Sequence, residues 1–333
     1  MEPYLPNYLK GKNRRLVFDL LRERGQMSRA EITRDTGMSF PTAMKVVDAF
    51  LEKGLLVELD ETGPAAGAGR KGRLLRFEPG AYRAVGVECE GRFARVGLAD
   101  MAGGVQARET IELGDFARTR DLSPLAAAIR RMCAAANGAP VLGVCIGFPA
   151  NLDPDAAAIV SYAAMDIQQP TSFAQVFPAF WREVELPVYL ENDANLACEG
   201  EAFLRRGAGG AANMLYLSIG SGCGGAVRLD GKLRRGARCR AGEVGAMLLQ
   251  PALGAPGRGA ARETLEDAVC LAALERRFGA ALRDGAQPGE ASAQAMRDYL
   301  CGPLSGAVYS LVMTLDVELC VLAGDRKSTR LNS

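Results

Sequence analysis

The apolar positions between residues 14 and 51 recur at helical spacing. In RRLVFDLL, Leu16, Val17, Leu20 and Leu21 predict one face of a helix. Ser28-Arg29-Ala30-Glu31 has the form of a capping box and predicts the start of a short helix, with Ala30, Ile32 and Thr33 turned inward. Gly37 is placed to end that helix and turn the chain. Ser39 suits the cap of the next helix and Pro41 its first turn. There Ala43, Val46, Val47, Phe50 and Leu51 form a stripe of core residues. Thr42, Met44, Lys45 and Asp48 are left on the outer face, and Gly54 closes the helix. Leu55–Glu58 and Arg73–Phe77 then read as a strand pair. Gly- and Pro-rich sequence between them ends in Gly69-Arg70-Lys71-Gly72-Arg73.

From residue 82 the pattern becomes alternating strands and helices. YRAVGVECEGRFARVGLADMAGGVQARETIEL predicts two or three antiparallel strands with a turn at Ala102-Gly103-Gly104. SPLAAAIRRMCAAANG is an amphipathic helix, and VLGVCIGFPANLD a buried strand leading into a loop. LPVYLENDANLACEGE predicts strand, loop and helix, and NMLYLSIGSGCGGAVRLDGKLRRGARCRAGEVG a hairpin with a Gly-rich turn. VELCVLAG reads as a buried strand near the end.

Two short helices joined at a Gly turn, followed by a strand pair with a basic tip, predict a winged helix-turn-helix. Its second helix would enter the major groove and its wing would meet phosphates or a narrow minor groove. The candidate DNA contacts are Ser39, Thr42, Lys45, Arg70, Lys71 and Arg73. Phe40 stands where an Arg would commonly read guanine, which leaves specificity to Thr42, Lys45 and the wing. The alternative is a three-helix packing module that binds no nucleic acid.

Composition narrows the classes. The 333 residues suit two to three domains, and 48% hydrophobic with 24% charged residues suits a globular protein with a sizeable core. Net charge is +1, but residues 1–80 carry a basic excess and the remainder a slight acidic one. Nine cysteines without a C-x-x-C pair indicate buried thiols and a reducing cytoplasm. There is no histidine, which excludes His-based acid–base catalysis and His metal sites. MEPYLPNYLKGKNRR has no apolar core of signal-peptide length. The apolar run AVYSLVMTLDVELCVLAG contains Asp316 and Glu318, so no membrane span is expected.

The order of VGVECEGRFARVGLADMAGGV, IGFPANLD, ENDAN, GSGCGGAVRLDGKLRRGA, AGEVG and ETLED resembles the ROK family of bacterial sugar repressors and sugar kinases, from the head to about Gly324. The resemblance implies an α/β chain: a winged helix-turn-helix followed by an actin-like (ribonuclease H-like) two-lobed body with a ligand cleft. The corresponding boundaries are 1–80 for the head, 81–191 for the first lobe, 192–324 for an incomplete second lobe and 325–333 for an unrelated tail. A fused head with a Gly-Arg-rich wing resembles the repressor branch, such as xylose and N-acetylglucosamine repressors.

The same resemblance bears on chemistry. The family's kinases use a D-x-G-x-T turn at the ATP phosphates. Here Glu88-Cys89-Glu90-Gly91-Arg92 is aligned with it, placing a carboxylate where glycine must approach phosphate and Arg92 where a hydroxyl is needed. Gly220-Ser221-Gly222-Cys223-Gly224-Gly225 is largely intact, but the family's adenosine-side Gly pair after VLAG is missing. ATP turnover is therefore not expected. Asn192, Asp193, Glu243 and Glu266 match positions whose side chains bind sugar hydroxyls, with Asp193 at the vestigial position of the kinase base. A capping or solvated role remains the alternative for each, evenly so for Glu266. The family's zinc site of one His and three Cys is lost. Ala246 stands at the His position, and 257–264 reads GRGAARET, so no metal and no cofactor is expected. The basic tail 325–333 does not resemble the family, which suggests a truncated or misassembled reading frame; a real basic tail is the alternative.

These expectations combine into a transcriptional repressor. It would bind a double-stranded operator as a homodimer or higher homo-oligomer and respond to a sugar or sugar derivative. The alternatives are a hexose-phosphorylating sugar kinase with a DNA-binding head, and a DNA-binding protein whose body only oligomerises.

Overall fold

The fold is that of a computed structural model, which describes residues 5–62, 73–205, 211–249, 263–279 and 290–324. The chain divides into two compact units, one of residues 1–146 with 176–189 and one of 147–175 with 190–333.

The first unit opens with helix α1 (Leu5–Arg24), strand β1 (Gln26–Ser28), helices α2 (Arg29–Thr36) and α3 (Phe40–Glu52), and strands β2 (Leu56–Thr62) and β3 (Arg73–Phe77). The three strands form one antiparallel sheet in the order β1-β3-β2. Val17 and Leu21 from α1, Ile32 from α2, Val46, Val47 and Phe50 from α3, and Leu56, Leu75 and Phe77 from the strands close a single core. Helical phase explains two departures from expectation. Leu16 is 44% exposed because it stands on the shoulder of the stripe set by Val17 and Leu21. Ala30 is exposed because two residues turn an α-helix by about 200°, opposite Ile32. The capping box is formed: the Ser28 hydroxyl accepts the Glu31 N–H while the Glu31 carboxylate accepts the Ser28 N–H at 2.8 Å. These bonds hold the Glu31 carboxyl below the usual range, that from the Ser28 backbone most strongly. Gly37 turns the chain in the left-handed conformation (φ +65°).

Strands β4 (Arg83–Glu90), β5 (Phe93–Asp100) and β6 (Val105–Glu112) form the expected antiparallel meander. With β7 (Val141–Phe148) and β11 (Val188–Asn192) they make a five-stranded sheet in the order β11-β7-β4-β5-β6. Between β6 and β11 the chain forms helices α4 (Phe116–Thr119), α5 (Ser123–Ala135), α6 (Phe173–Val176) and α7 (Pro178–Glu183), and a small sheet of β8 (Asn151–Asp153), β9 (Ala158–Ser161) and β10 (Thr171–Ser172). The opening core and the meander are joined within the first unit. Met101, in the turn between β5 and β6, packs against the opening core, and its N–H donates to the Pro79 carbonyl at 3.1 Å. The Tyr82 hydroxyl donates to the Lys53 carbonyl, also at 3.1 Å.

The second unit contains helix α8 (Asp193–Arg205), strands β12 (Met214–Ile219), β13 (Cys223–Leu229) and β14 (Lys232–Arg234), helices α9 (Leu265–Val269), α10 (Leu271–Phe278) and α11 (Glu290–Leu315), and strand β15 (Leu319–Gly324). The sheet order is β14-β13-β12-β15, with β15 parallel to β12. Leu319–Gly324 is thus an edge strand rather than the buried strand its apolar run predicts, and Leu322 is 57% exposed. Residues 325–333 lie outside the described residues. No helix among the described residues is long and apolar enough to cross a membrane.

Candidate functional site

In the second unit the chain leaves β11 and enters α8 without the loop expected between them. Asn192 ends the strand and caps the helix: its side-chain oxygen accepts the Asn195 N–H at 3.1 Å, and its amide donates to the Ala150 carbonyl at 3.3 Å. Asp193 is the first helical residue, half-buried, and its carboxylate accepts the Ala194 N–H at 2.8 Å. A carboxylate there also sits at the favourable, positive end of the helix dipole.

Glu191, immediately before them, is buried and holds this junction together. One carboxylate oxygen accepts the Asn192 N–H and the Asn195 side-chain amide, each at 3.0 Å. The other accepts Nε (2.9 Å) and Nη2 (2.5 Å) of Arg235. Burial opposes the charge on Arg235, but the Glu191 partnership outweighs it and the guanidinium pKa is raised. Motif order and periodicity do not single out Glu191 or Arg235. The signal that points to them is a carboxylate inside an otherwise apolar strand, which needs a cation when buried.

The loop AGEVG packs against β13 closely enough to dictate glycine. A side chain at Gly225 would come within 2.7 Å of Val244 Cγ2, and Gly242 adopts φ +95°. Glu243, between them in sequence, is open to water on one side and crowded by protein on the other. Burial pushes its pKa up; Arg240 opposes this and Glu266 adds to it. Glu266, on α9, accepts the Cys223 N–H at 2.9 Å and so ties down the Gly220–Gly222 turn between β12 and β13. Ala194, beside Asp193, abuts Gly224. The four candidate sugar contacts thus all belong to the second unit. Ala194, next to Asp193 in sequence, and Glu266 meet the same Gly-rich hairpin, and Glu243 is within electrostatic reach of Glu266. Burial raises the Cys223 thiol to about 11, so it stays protonated at neutral pH.

In the first unit, Glu88-Cys89-Glu90-Gly91-Arg92 forms the β4–β5 hairpin, with Glu90 paired to Phe93. Arg95 grips Glu88 through two hydrogen bonds of 2.9 Å and reaches Glu90 at 3.1 Å. Arg92 pairs with Glu112 at 3.4 Å. The turn is held by its own ion pairs.

Around α3, Ser39 occupies the cap position, but its hydroxyl pairs with that of Thr42 at 2.8 Å instead of capping a backbone N–H. Lys45 is exposed on the next turn, and among the described residues no carboxylate pairs with it. Arg73 is exposed and lies 3.7 Å from Glu58, which Arg29 binds at 2.5 Å. The Arg29 hydrogen bond is the main cause of the lowered pKa of Glu58. Arg70 and Lys71 lie outside the described residues, as do positions 257–262 of the segment compared with the zinc loop. Among the described residues no group of three or more His, Cys, Asp or Glu is disposed to hold a metal.

Residues 84–327 match the model of the ROK family. The chain is 27% identical over 241 residues to a xylose repressor of Caldicellulosiruptor bescii, covering 71% of this chain and 58% of that protein. It is 34% identical over 141 residues to a glucokinase of Halalkalibacterium halodurans, covering 40% of each. The chain therefore spans about three-fifths of the length of the xylose repressor it matches. Among solved structures, it is similar to a ROK-family transcriptional regulator described as a homologue of the E. coli MLC protein. The TM-score is 0.73 at 18% identity, over 94% of this chain and 83% of that one. At that identity the likeness is one of fold, and its span is greater than residues 84–333 can supply, so it takes in part of the opening segment. The family match covers most of the chain and includes β4 to β15 with the Gly-rich hairpin: this protein belongs to the ROK family.

Proposed function

We propose that this protein is a DNA-binding transcriptional repressor whose ROK body senses a sugar or sugar derivative. The observation that carries the reading is the opening segment. α2, the Gly37 turn and α3 leave the first turn of α3 exposed, and β2 and β3 extend beside them as a wing. Helix-turn-helix modules dock in this way, with the N-terminal part of the second helix on base edges. Ser39 at the cap of α3, Thr42 and Lys45 on α3, Arg73 at the start of β3, and Arg70 and Lys71 just before it in sequence, are the assigned DNA contacts. Similarity to xylose repressors supports the same reading. Asn192, Asp193, Glu243 and Glu266 are assigned to the effector, with a homodimer on a two-fold operator in the cytoplasm. Carboxylates and amides suit hydroxyl recognition because each can bridge neighbouring hydroxyls.

The sugar-kinase reading draws on the glucokinase and β-glucoside kinase relatives. Against it stands the Glu90–Arg95 pair, which puts a negative side chain in the turn aligned with the phosphate cradle. The test combines three measurements on the 333-residue chain: selection of bound duplexes from random DNA, thermal stabilisation by a sugar panel, and ATP hydrolysis with the same sugars. Salt-dependent DNA binding relieved by one sugar, without ATP turnover, is the expected result. Sugar-dependent ATP turnover without DNA binding would replace the repressor by the kinase.

A further inference from the structure

We propose that Phe40 reads a thymine, its ring packing on the C5-methyl group in the major groove and giving the protein a base preference that the polar residues of α3 do not supply. This inference rests on the DNA-binding reading above and deepens it.

Phe40 is the first residue of α3 and is 56% exposed. Its spacing to Ala43, Val47 and Phe50 is in phase with the buried stripe of the helix, so periodicity alone would bury it. The core stops short of it. Met38 and Met44, on either side in sequence, pack against the core, whereas Phe40 takes no part in it and stays mostly exposed. Pro41 beside it is also exposed. The two hydroxyls of this turn, on Ser39 and Thr42, are paired with each other. That pair engages one of the two hydroxyl hydrogens, and the exposed apolar area of the first turn comes from Phe40 and Pro41, with the exposed cation Lys45 one turn further along.

That combination selects its partner. An aromatic ring cannot donate to the guanine acceptors, which an Arg at this position would reach. The apolar group presented in the major groove is the thymine methyl, and Phe is among the side chains that contact it. Lys45 supplies the charge that holds a duplex phosphate nearby. A single exposed aromatic is common on protein surfaces. Here it occupies the part of the second helix that this class of module turns toward base edges.

The test uses the full chain. Duplexes are first selected from a random pool, and each thymine of the consensus is then replaced singly by deoxyuridine, which deletes only the C5-methyl. The wild type is expected to lose about fourfold in affinity at one position per half-site, the value of burying one methyl-sized group. Phe40→Ala should bind the thymine duplex correspondingly more weakly and show no uracil effect there. Phe40→Leu, which keeps an apolar side chain, should retain part of it. Circular dichroism and the thermal midpoint should match the wild type in both variants, because the ring lies outside the core. Wild-type binding indifferent to every uracil, or a uracil effect that persists in Phe40→Ala, would overturn the assignment while leaving DNA binding intact. A change of oligomeric state in Phe40→Ala would assign the ring to a protein contact and overturn it equally. Failure to select any duplex would remove the DNA-binding reading and this inference together.

Discussion

The side chain of Asn192 accepts the backbone N–H of Asn195 at 3.1 Å, so the residue that ends β11 is also the one that starts α8. The junction has no slack. Asp193 is presented from a helix end fixed by a cap in front and by the Glu191–Arg235 pair beneath. A ligand-binding carboxylate benefits from such support, because its orientation need not be ordered on binding.

Replacement of Asn192 should therefore be read first as loss of a cap. Asn192→Ala is expected to lower stability by about 1 kcal/mol, and Asn192→Asp to retain most of it. Urea unfolding of the two variants beside the wild type checks this; equal losses in both would remove the capping role.

Arg235→Ala should be more damaging, since it strips the cation from a buried Glu191. A loss of roughly 3 kcal/mol is expected, the low end for a buried pair because Arg235 itself is partly exposed. Arg235→Ala/Glu191→Gln should recover part of that loss in a double-mutant cycle, and additive losses would argue against the pair.

Asp193→Ala should weaken sugar binding about ten- to a hundredfold, the worth of roughly 1.5–3 kcal/mol for a hydroxyl bonded to a charged acceptor. DNA affinity without sugar should stay near that of the wild type, and release of DNA should need more sugar. An operator gel shift titrated with the stabilising sugar measures both. Unchanged release would take Asp193 out of the effector site.

Glu243 gives a pH signature. Burial raises its folded pKa above the unfolded value, so between those two values the folded chain binds more protons than the unfolded one. The linkage slope is then negative, and this group's contribution to stability falls as pH rises through that window, from about pH 4.3 upward. Glu243→Gln should remove the decline, so the variant gains on the wild type with rising pH. Thermal midpoints running parallel across the window would contradict this.

On the wing, Arg73→Ala together with Arg70→Ala and Lys71→Ala should weaken binding to all duplexes alike. The slope of log K against log salt should flatten by about one unit for each phosphate left without its cation. An unchanged slope would take the wing off the DNA. Arg73 alone should contribute less than a full unit, because Glu58 already draws on its charge.

Much of this fold was legible in the sequence where local rules act alone. The Ser28–Glu31 box, the Gly37 turn, the Arg73–Phe77 strand and the antiparallel meander, read as two or three strands and found to have three, follow from caps, left-handed glycine and alternation. Legibility failed where the partner decides. Leu319–Gly324 has the composition of an interior strand, but among the described residues only β12 pairs with it. Glu191 reads as one more acidic residue until the fold brings Arg235, 44 positions away, onto it. Phe40 obeys the helical period of a core that ends before reaching it. Of the candidate site, motif order proposes Asp193, Glu243 and Glu266 as effector contacts, but does not reveal that Glu266 fastens the Gly220–Gly222 turn.

Met101 bears on how such proteins can be recombined. Its side chain packs against the core formed by α1, α2, α3 and strands β1 to β3, although it is delivered by a turn of the following sheet. Residues 1–80 are therefore not an interchangeable cartridge. Grafted onto another body, they would leave a gap where Met101 now packs and a Lys53 carbonyl without the Tyr82 hydroxyl. A working chimera should carry the β5–β6 turn with residues 1–80, or supply a side chain of similar volume at the same place.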